Sequence, residues 1–432
     1  MGPRRFELRL PAPRAGRMAW LPYSPRDLCY LLFLLSILNR YQVLCFGVLY
    51  LTDSISQPAP DIIKNRMQLK EVKGIRIGKC AVSTHDPALE NPVRDYMSVD
   101  DLVSAFGGCA FGAGRLAIAA DIYEEMQTEE TTKFIGIAGA LVPAGMRNVI
   151  AEMVREREVD VVVTTGANLV HDIIEALGDH HYKIDVEEGS GLAASAETNA
   201  EMVPETETKT ETETPTPIDD IWLRERGLER IYDVILHEGA FARLEVFLRT
   251  VFDTLDCENH DRGCSYSIRE LTKAIGESLS DPDSILRAAV DSDVPVFCPA
   301  IADSMIGLHA WIYKQTCRLN VDAFSDMKEL VDIFCEAKRT GAIILGGGVP
   351  KNFIFQTALI APREGFDYAI QITTDTPENG GLSGATLEEA KSWGKVGAKA
   401  KAVTVYCDAT IALPVIVAAV RERIGGRAAL GR

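Results

Sequence analysis

One pattern governs this chain from about Leu69 onward: a short β-branched or apolar run ends in small and polar residues, and a stretch of helical period follows. The runs are "KFIGIAGALVPAG" (Lys133–Gly145), "VDVVVTTGAN" (Val159–Asn168), "VPVFCPAIADS" (Val294–Ser304), "GAIILGGGVPKN" (Gly341–Asn352), "DYAIQITTDT" (Asp367–Thr376) and "AVTVYCDA" (Ala402–Ala409). The candidate helices are Met146–Arg155, Leu169–Leu177, Asp322–Lys338, Asn352–Ile360, Leu387–Trp393 and Thr410–Glu422. Apolar runs bounded by turns predict strands buried on both faces. Their alternation with helices predicts a doubly wound parallel α/β sheet.

Two segments break the pattern. Residues 187–217 alternate Thr, Glu and Pro with almost no large apolar side chains. Such a stretch cannot bury enough surface to offset its ordering entropy, and it reads as a disordered surface loop inside one folded domain. Helical periodicity is expected to return at "DDIWLRERGLERIYDVILHEGAFARLEVFLRTVFDTL". Residues 1–68 form an N-terminal extension of open role. Its apolar run "LCYLLFLLSIL" is interrupted by "NRYQ", so it fits neither an uninterrupted span nor a signal peptide well. A cytoplasmic location is the expectation, with targeting or anchoring by this segment as the alternative.

The formal net charge is -17, which argues against nonspecific binding to nucleic acid or an anionic membrane. The ten cysteines show no CxxC and no regular spacing, as expected of buried free thiols. No His, Cys, Asp and Glu cluster has metal-ligand spacing, so no metal is expected.

In an open parallel sheet a ligand binds outside the carboxyl ends of the strands. The strand ends here carry Gly139, Thr164–Gly166, Asp303–Ser304, Gly346–Gly348, Thr373–Asp375 and Asp408. Glycines let a ligand approach the backbone, and helix N-termini favour phosphate, so a nucleotide-sized crevice is expected. The dinucleotide fingerprint G-x-G-x-x-G is absent, because Lys351 stands where a third glycine would. Asp303 and Asp408 each suit either a ribose hydroxyl or a helix N-cap. His171 lies a turn into a helix at the same edge, where a structural role and a substrate contact are both open.

"LEEAKSWGK" (Leu387–Lys395) adds chemistry to the crevice. Glu389 and Trp393 are four apart and share a helix face. Gly394 then ends the helix and lets Lys395 turn toward that face. A tryptophan wall beside a carboxylate seats an alkylammonium. A lysine next to a second cation or an indole gives up its proton more readily, and a neutral amine attacks a carbonyl or imine carbon.

From "GAIILGGGVPKN" through "ENGGLSGATLEEAKSWGK" to "VTVYCDA", the chain resembles the deoxyhypusine synthase family, over roughly Leu69 to the C-terminus less the acidic loop. The resemblance implies an NAD-dependent enzyme. It would take hydride from spermidine, carry an aminobutyl imine on a lysine, and pass that group to an acceptor amine. The acceptor is a lysine of translation initiation factor 5A in one branch and a small amine in another. It further implies a homotetramer with active sites between paired subunits. By similarity Lys395 is the imine-forming lysine, and Glu389 and Trp393 are amine-binding positions. Asn352 stands at the position of an amine-contacting histidine, and His171 at that of a glutamate near the nicotinamide. The NAD-contacting stretches match Gly139, Ala140 and Leu141; Thr165, Gly166 and Ala167; Asp303; Gly347; Thr374 and Asp375; and Asp408 and Ala409. Two acids that hold the polyamine in this family are here Leu308 and Leu382. The pattern "GGGVPKNF", "TTGANLVHD" and "GGLSGAT" resembles the deoxyhypusine synthase-like branch. Lost carboxylates leave a tri-cationic amine short of countercharge. The expectation is therefore an aminoalkyl transferase acting on a polyamine or small amine. True deoxyhypusine synthase and a non-catalytic NAD-binding regulatory subunit are the alternatives.

Overall fold

The six apolar runs become six adjacent strands. They are β1 (Thr131–Ile137), β2 (Val161–Thr164), β3 (Val296–Phe297), β4 (Arg339–Leu345), β5 (Phe366–Thr373) and β6 (Val396–Tyr406). Their order across the sheet is β6-β5-β4-β1-β2-β3, with every neighbouring pair parallel. The computed structural model describes residues 69–71, 98–184, 220–259 and 265–429. These lie in one unit, Asp61–Arg432. The N-terminal extension, residues 1–68, and the acidic loop 187–217 lie outside the described residues.

Side chains alternate faces along each strand, so each strand feeds two cores. Phe134, Val161, Val163, Ala342, Ile344 and Ala369 belong to one buried cluster, and Ile135, Val162, Ile343, Leu345 and Ile370 to the other. Of the helices that follow the strands, α1 (Arg147–Arg155), α2 (Gly166–Ala176), α3 (Met305–Tyr313) and α6 (Ala409–Ala429) pack on the second face. The other face receives α4 (Gly348–Ile360), α5 (Leu387–Ser392) and the helix Ser325–Glu336. Phe366 anchors that face, its ring centroid 4.8 Å from Phe334 and 5.4 Å from both Phe134 and Phe355. Burying each such ring contributes about 1.5–3 kcal/mol.

The structure corrects the reading of three regions. The segment after Asp220 is not helical throughout. A short helix, Asp220–Arg224, leads into a hairpin of Leu228–Ile231 and Val234–His237, and only then does the helix Gly239–Asn259 begin. The two-residue turn at Tyr232–Asp233 puts Tyr232 at φ +55°, without the Asn-Gly or Asp-Gly pair that would advertise it. The hairpin joins Tyr182–Ile184 and Leu69–Glu71 in a small antiparallel sheet. Strand β6 starts six residues before the predicted run, because its register with β5 jumps between Phe366↔Val396 and Tyr368↔Lys401. The cysteines are less uniformly buried than expected: Cys298 is buried and Cys407 half-buried, but Cys109 and Cys335 are exposed.

Candidate active site

From β1 the chain winds outward to β2 and β3, whereas β4 lies on the other side of β1 and leads to β5 and β6. The connections diverge between β1 and β4, and the carboxyl ends of two such strands are where an open parallel sheet takes a ligand. Both strands end in glycine with left-handed backbone, Gly139 at φ +72° and Gly346 at φ +76°. Gly347 is the N-cap of α4 and, as a glycine, offers no side-chain hydrogen bond to the first N–H groups of that helix. The loops of the β1–β2–β3 half touch one another. Thr165 Oγ1 donates to the Gly139 carbonyl at 2.9 Å, and a β-carbon on Gly166 would collide with Ser304.

The expected cofactor-contacting stretches therefore meet at one edge, although their acids differ. Asp303 follows β3, is exposed, and makes no side-chain hydrogen bond among the described residues. Asp408 acts as an N-cap, its Oδ1 accepting from the Thr410 N–H at 2.7 Å and hydroxyl at 2.8 Å. Asp375 Oδ1 likewise accepts from the Thr376 N–H at 2.9 Å and from Asn379. Both aspartates thus commit one oxygen to their own loops. Thr374 is exposed, and Ala140, Leu141, Ala167 and Ala409 are half-buried.

The expected helix end at the tryptophan is present in detail. Trp393 is the C-cap of α5, and Gly394 follows at φ +70°. The Lys395 N–H donates to Ala390 O and the Gly394 N–H to Lys391 O, each at 3.0 Å, a Schellman pairing that only a left-handed residue completes. The backbone of Lys395 lies at the amino end of β5, where its carbonyl accepts from Phe366. Its side chain reaches across to α4. Lys395 Nζ donates to Asn352 Oδ1 at 2.9 Å and sits 5.7 Å from the Trp393 ring centroid. Lys395 is half-buried, whereas Trp393 is 63% exposed and Glu389 is exposed.

Two residues beneath this lysine were not singled out from the sequence. Lys351 is buried in the first turn of α4, and its Nζ donates to Gln371 Oε1 at 3.0 Å, to Leu382 O at 3.1 Å and to Ala385 O. Gln371 is fully buried and donates to Gly346 O at 2.9 Å and Ser383 O at 2.8 Å. This pair fastens the glycine-rich turn to the loop that precedes α5. Burial pushes the Lys351 amine down to about 8; Glu389 works against the shift and Lys395 adds to it. In the sequence Lys351 only stands where a third glycine would, and the fold reveals the three acceptors around it.

His171 is buried in α2, where burial and then His181 push it down to about 3, against the pull of Glu175. It does not lie next to Lys395 in any described contact. Its partner is His181, with Nδ1 of His171 3.0 Å from Nε2 of His181. Leu308 on α3 is 42% exposed and Leu382 is 46% exposed, so the two missing carboxylates correspond to open apolar surface.

The fold defines an α/β protein built on a doubly wound parallel sheet whose strand order reverses between β1 and β4. A model of the family described as deoxyhypusine synthase matches residues 101–420. A Methanosarcina acetivorans protein named probable deoxyhypusine synthase 1 is 53% identical over 332 residues, covering 77% of this chain and 93% of that one. One of the same name from Archaeoglobus fulgidus is 43% identical over 333 residues, covering 77% and 97%. The chain belongs to the deoxyhypusine synthase family, whose members are aminobutyl-transferring enzymes.

Proposed function

We propose that this protein is an NAD-dependent aminoalkyl transferase that acts on a polyamine or small amine through an imine at Lys395. The observation that carries the reading is the placement of the Lys395 amine, half-buried, 2.9 Å from Asn352 Oδ1 and over the Trp393 ring. A dinucleotide suits the switch point: uncapped N–H groups at the start of α4 suit its phosphates, and the free Asp303 carboxylate suits a ribose. NAD supplies a hydride acceptor when bound. Once the donor amine has lost hydride, its carbon is an electrophilic imine. Lys395 Nζ bonds to that carbon and the C–N bond to the departing diamine breaks. The acceptor amine would displace Lys395 in the same manner, and the imine so formed would be saturated by the hydride that bound NAD would have taken from the donor. Asn352 orients the lysine, while Trp393 and Glu389 favour the cationic donor.

The names of the relatives favour a second reading, with a lysine of translation initiation factor 5A as acceptor. The two separate when enzyme, NAD and radiolabelled spermidine are incubated with and without that factor. Label in a small-amine product under both conditions supports the proposal. Label appearing only on protein overturns the small-amine version.

A further inference from the structure

We infer that Lys351 is a positioning residue for Lys395: together with Asn352 it clamps the two ends of α5 to α4. This deepens the aminoalkyl-transfer reading and rests on it for the chemistry of Lys395.

The clamp follows from where two successive side chains go. Lys351 and Asn352 are neighbours on α4, and neighbouring helical residues leave the axis about 100° apart. Lys351 Nζ reaches the loop before α5, donating to Leu382 O at 3.1 Å and to Ala385 O. Asn352 goes the other way, and its Oδ1 accepts from Lys395 Nζ at 2.9 Å. Ala385 directly precedes Thr386, the N-cap of α5, whose Oγ1 accepts from the Glu389 N–H at 3.0 Å. Lys395 lies two residues past the C-cap Trp393 and donates its N–H to Ala390 O. With six residues α5 is about 9 Å long, and the two grips lie at its opposite ends.

Neither the loop nor the core can set this position alone. Residues 379–386 include three glycines, and Gly380 has left-handed backbone at φ +68°. Such a loop has wide backbone freedom, so its carbonyls must be fixed from outside. Gln371 Nε2 fixes Ser383 O at 2.8 Å, and Lys351 fixes Leu382 O and Ala385 O. On the inner side, Leu387 and Ala390 join the buried cluster that contains Phe353 and Ile354 of α4. Apolar contact is non-directional and leaves so short a helix free to slide and rotate. The two polar grips remove that freedom.

The chemistry of Lys351 suits a holding role. Its third acceptor is Gln371 Oε1 at 3.0 Å, so three acceptors match the three hydrogens of an ammonium. The amine, lowered to about 8 by burial, still carries all three at neutral pH. Buried and fully bonded, it acts on the reaction only through α5. Release at the Ala385 end would let α5 shift and carry the Lys395 amine off line. A misplacement of about 1 Å costs on the order of 10²-fold in rate.

The test is a double-mutant cycle of Lys351→Met and Asn352→Ala. It is read by single-turnover borohydride trapping of Lys395 with NAD and spermidine, and by amide hydrogen exchange across residues 380–395. Lys351→Met is expected to slow trapping at least tenfold in the parent but less than threefold in Asn352→Ala, because each grip works only with the other. It is also expected to speed exchange of residues 380–386 at least tenfold while β4 and β5 keep parental rates. Equal slowing in both backgrounds, or a folded Lys351→Met that traps at the parental rate, overturns the clamp. Lys351→Gln replaces the methionine variant should that fail to fold. In the parent alone, exchange of residues 380–386 at free-peptide rates also overturns it. A parent that traps no amine, while Lys351→Met still releases residues 380–386, overturns the transfer reading and leaves the clamp standing.

Discussion

The proposed imine chemistry asks of Lys395 a nucleophilic amine held in place beside Asn352. Arginine keeps the length and charge but is never deprotonated in a protein. Lys395→Arg should leave folding intact and lower turnover on the order of 10³-fold or more, as measured by single-turnover product formation. Two other residues address the choice of amine. Leu308 and Leu382 are exposed apolar side chains where the family resemblance implies acids that hold the polyamine. Leu308→Asp with Leu382→Asp should shift relative kcat/KM toward spermidine over a diamine by about tenfold, which is ~1.4 kcal/mol of added attraction. An unchanged preference would refute the countercharge account. His171 makes a prediction about acid stability. Its folded value of about 3 lies below the ordinary 6.5, so between these pH values the unfolded chain binds a proton that the folded chain does not. Stability is therefore lost as pH falls through that window, by about 2 kcal/mol from this residue at pH 5. Denaturant titrations at pH 7 and pH 5 should show a smaller loss for His171→Gln than for the parent.

Among the elements, the β4–α4 turn and the loop before α5 behave as one unit. A β-carbon on Gly347 would collide with the backbone of Ser383, whereas one on Gly394 would meet nothing but carry a left-handed residue. Gly347→Ala should cost about 1–3 kcal/mol by overpacking and reduce activity with it. Gly394→Ala should cost about 1 kcal/mol and loosen Lys395. Thermal unfolding of both variants, set beside their activity, checks the pair. Strands with both faces buried were legible because their apolar runs are continuous, and the end of α5 because glycine follows a four-residue face repeat. The hairpin at Tyr232–Asp233 was not, since its turn lacks the usual residues. Nor were Lys351 and Gln371, which lie 20 residues apart in the chain and meet only once β5 lies beside β4. The same holds for His171, whose hydrogen-bond partner is a loop histidine ten residues away.

On the scale of the whole molecule, strand order decides which loops face one another. Because β1 and β4 are neighbours whose chains wind in opposite directions, their glycine-ended loops lie side by side at the carboxyl edge, where the proposed cofactor would bind. NAD at a hundredfold excess over its Kd should raise unfolding free energy by about 2.7 kcal/mol, and Asp303→Ala should weaken binding about tenfold. No stabilisation at millimolar NAD would count against the crevice. The most direct test of the central claim is borohydride trapping of the enzyme with NAD and spermidine, followed by peptide mass spectrometry. The account predicts an aminobutyl mass on the peptide containing Lys395, absent without NAD and absent in Lys395→Arg. An adduct that forms elsewhere, or that survives the arginine replacement, would contradict it.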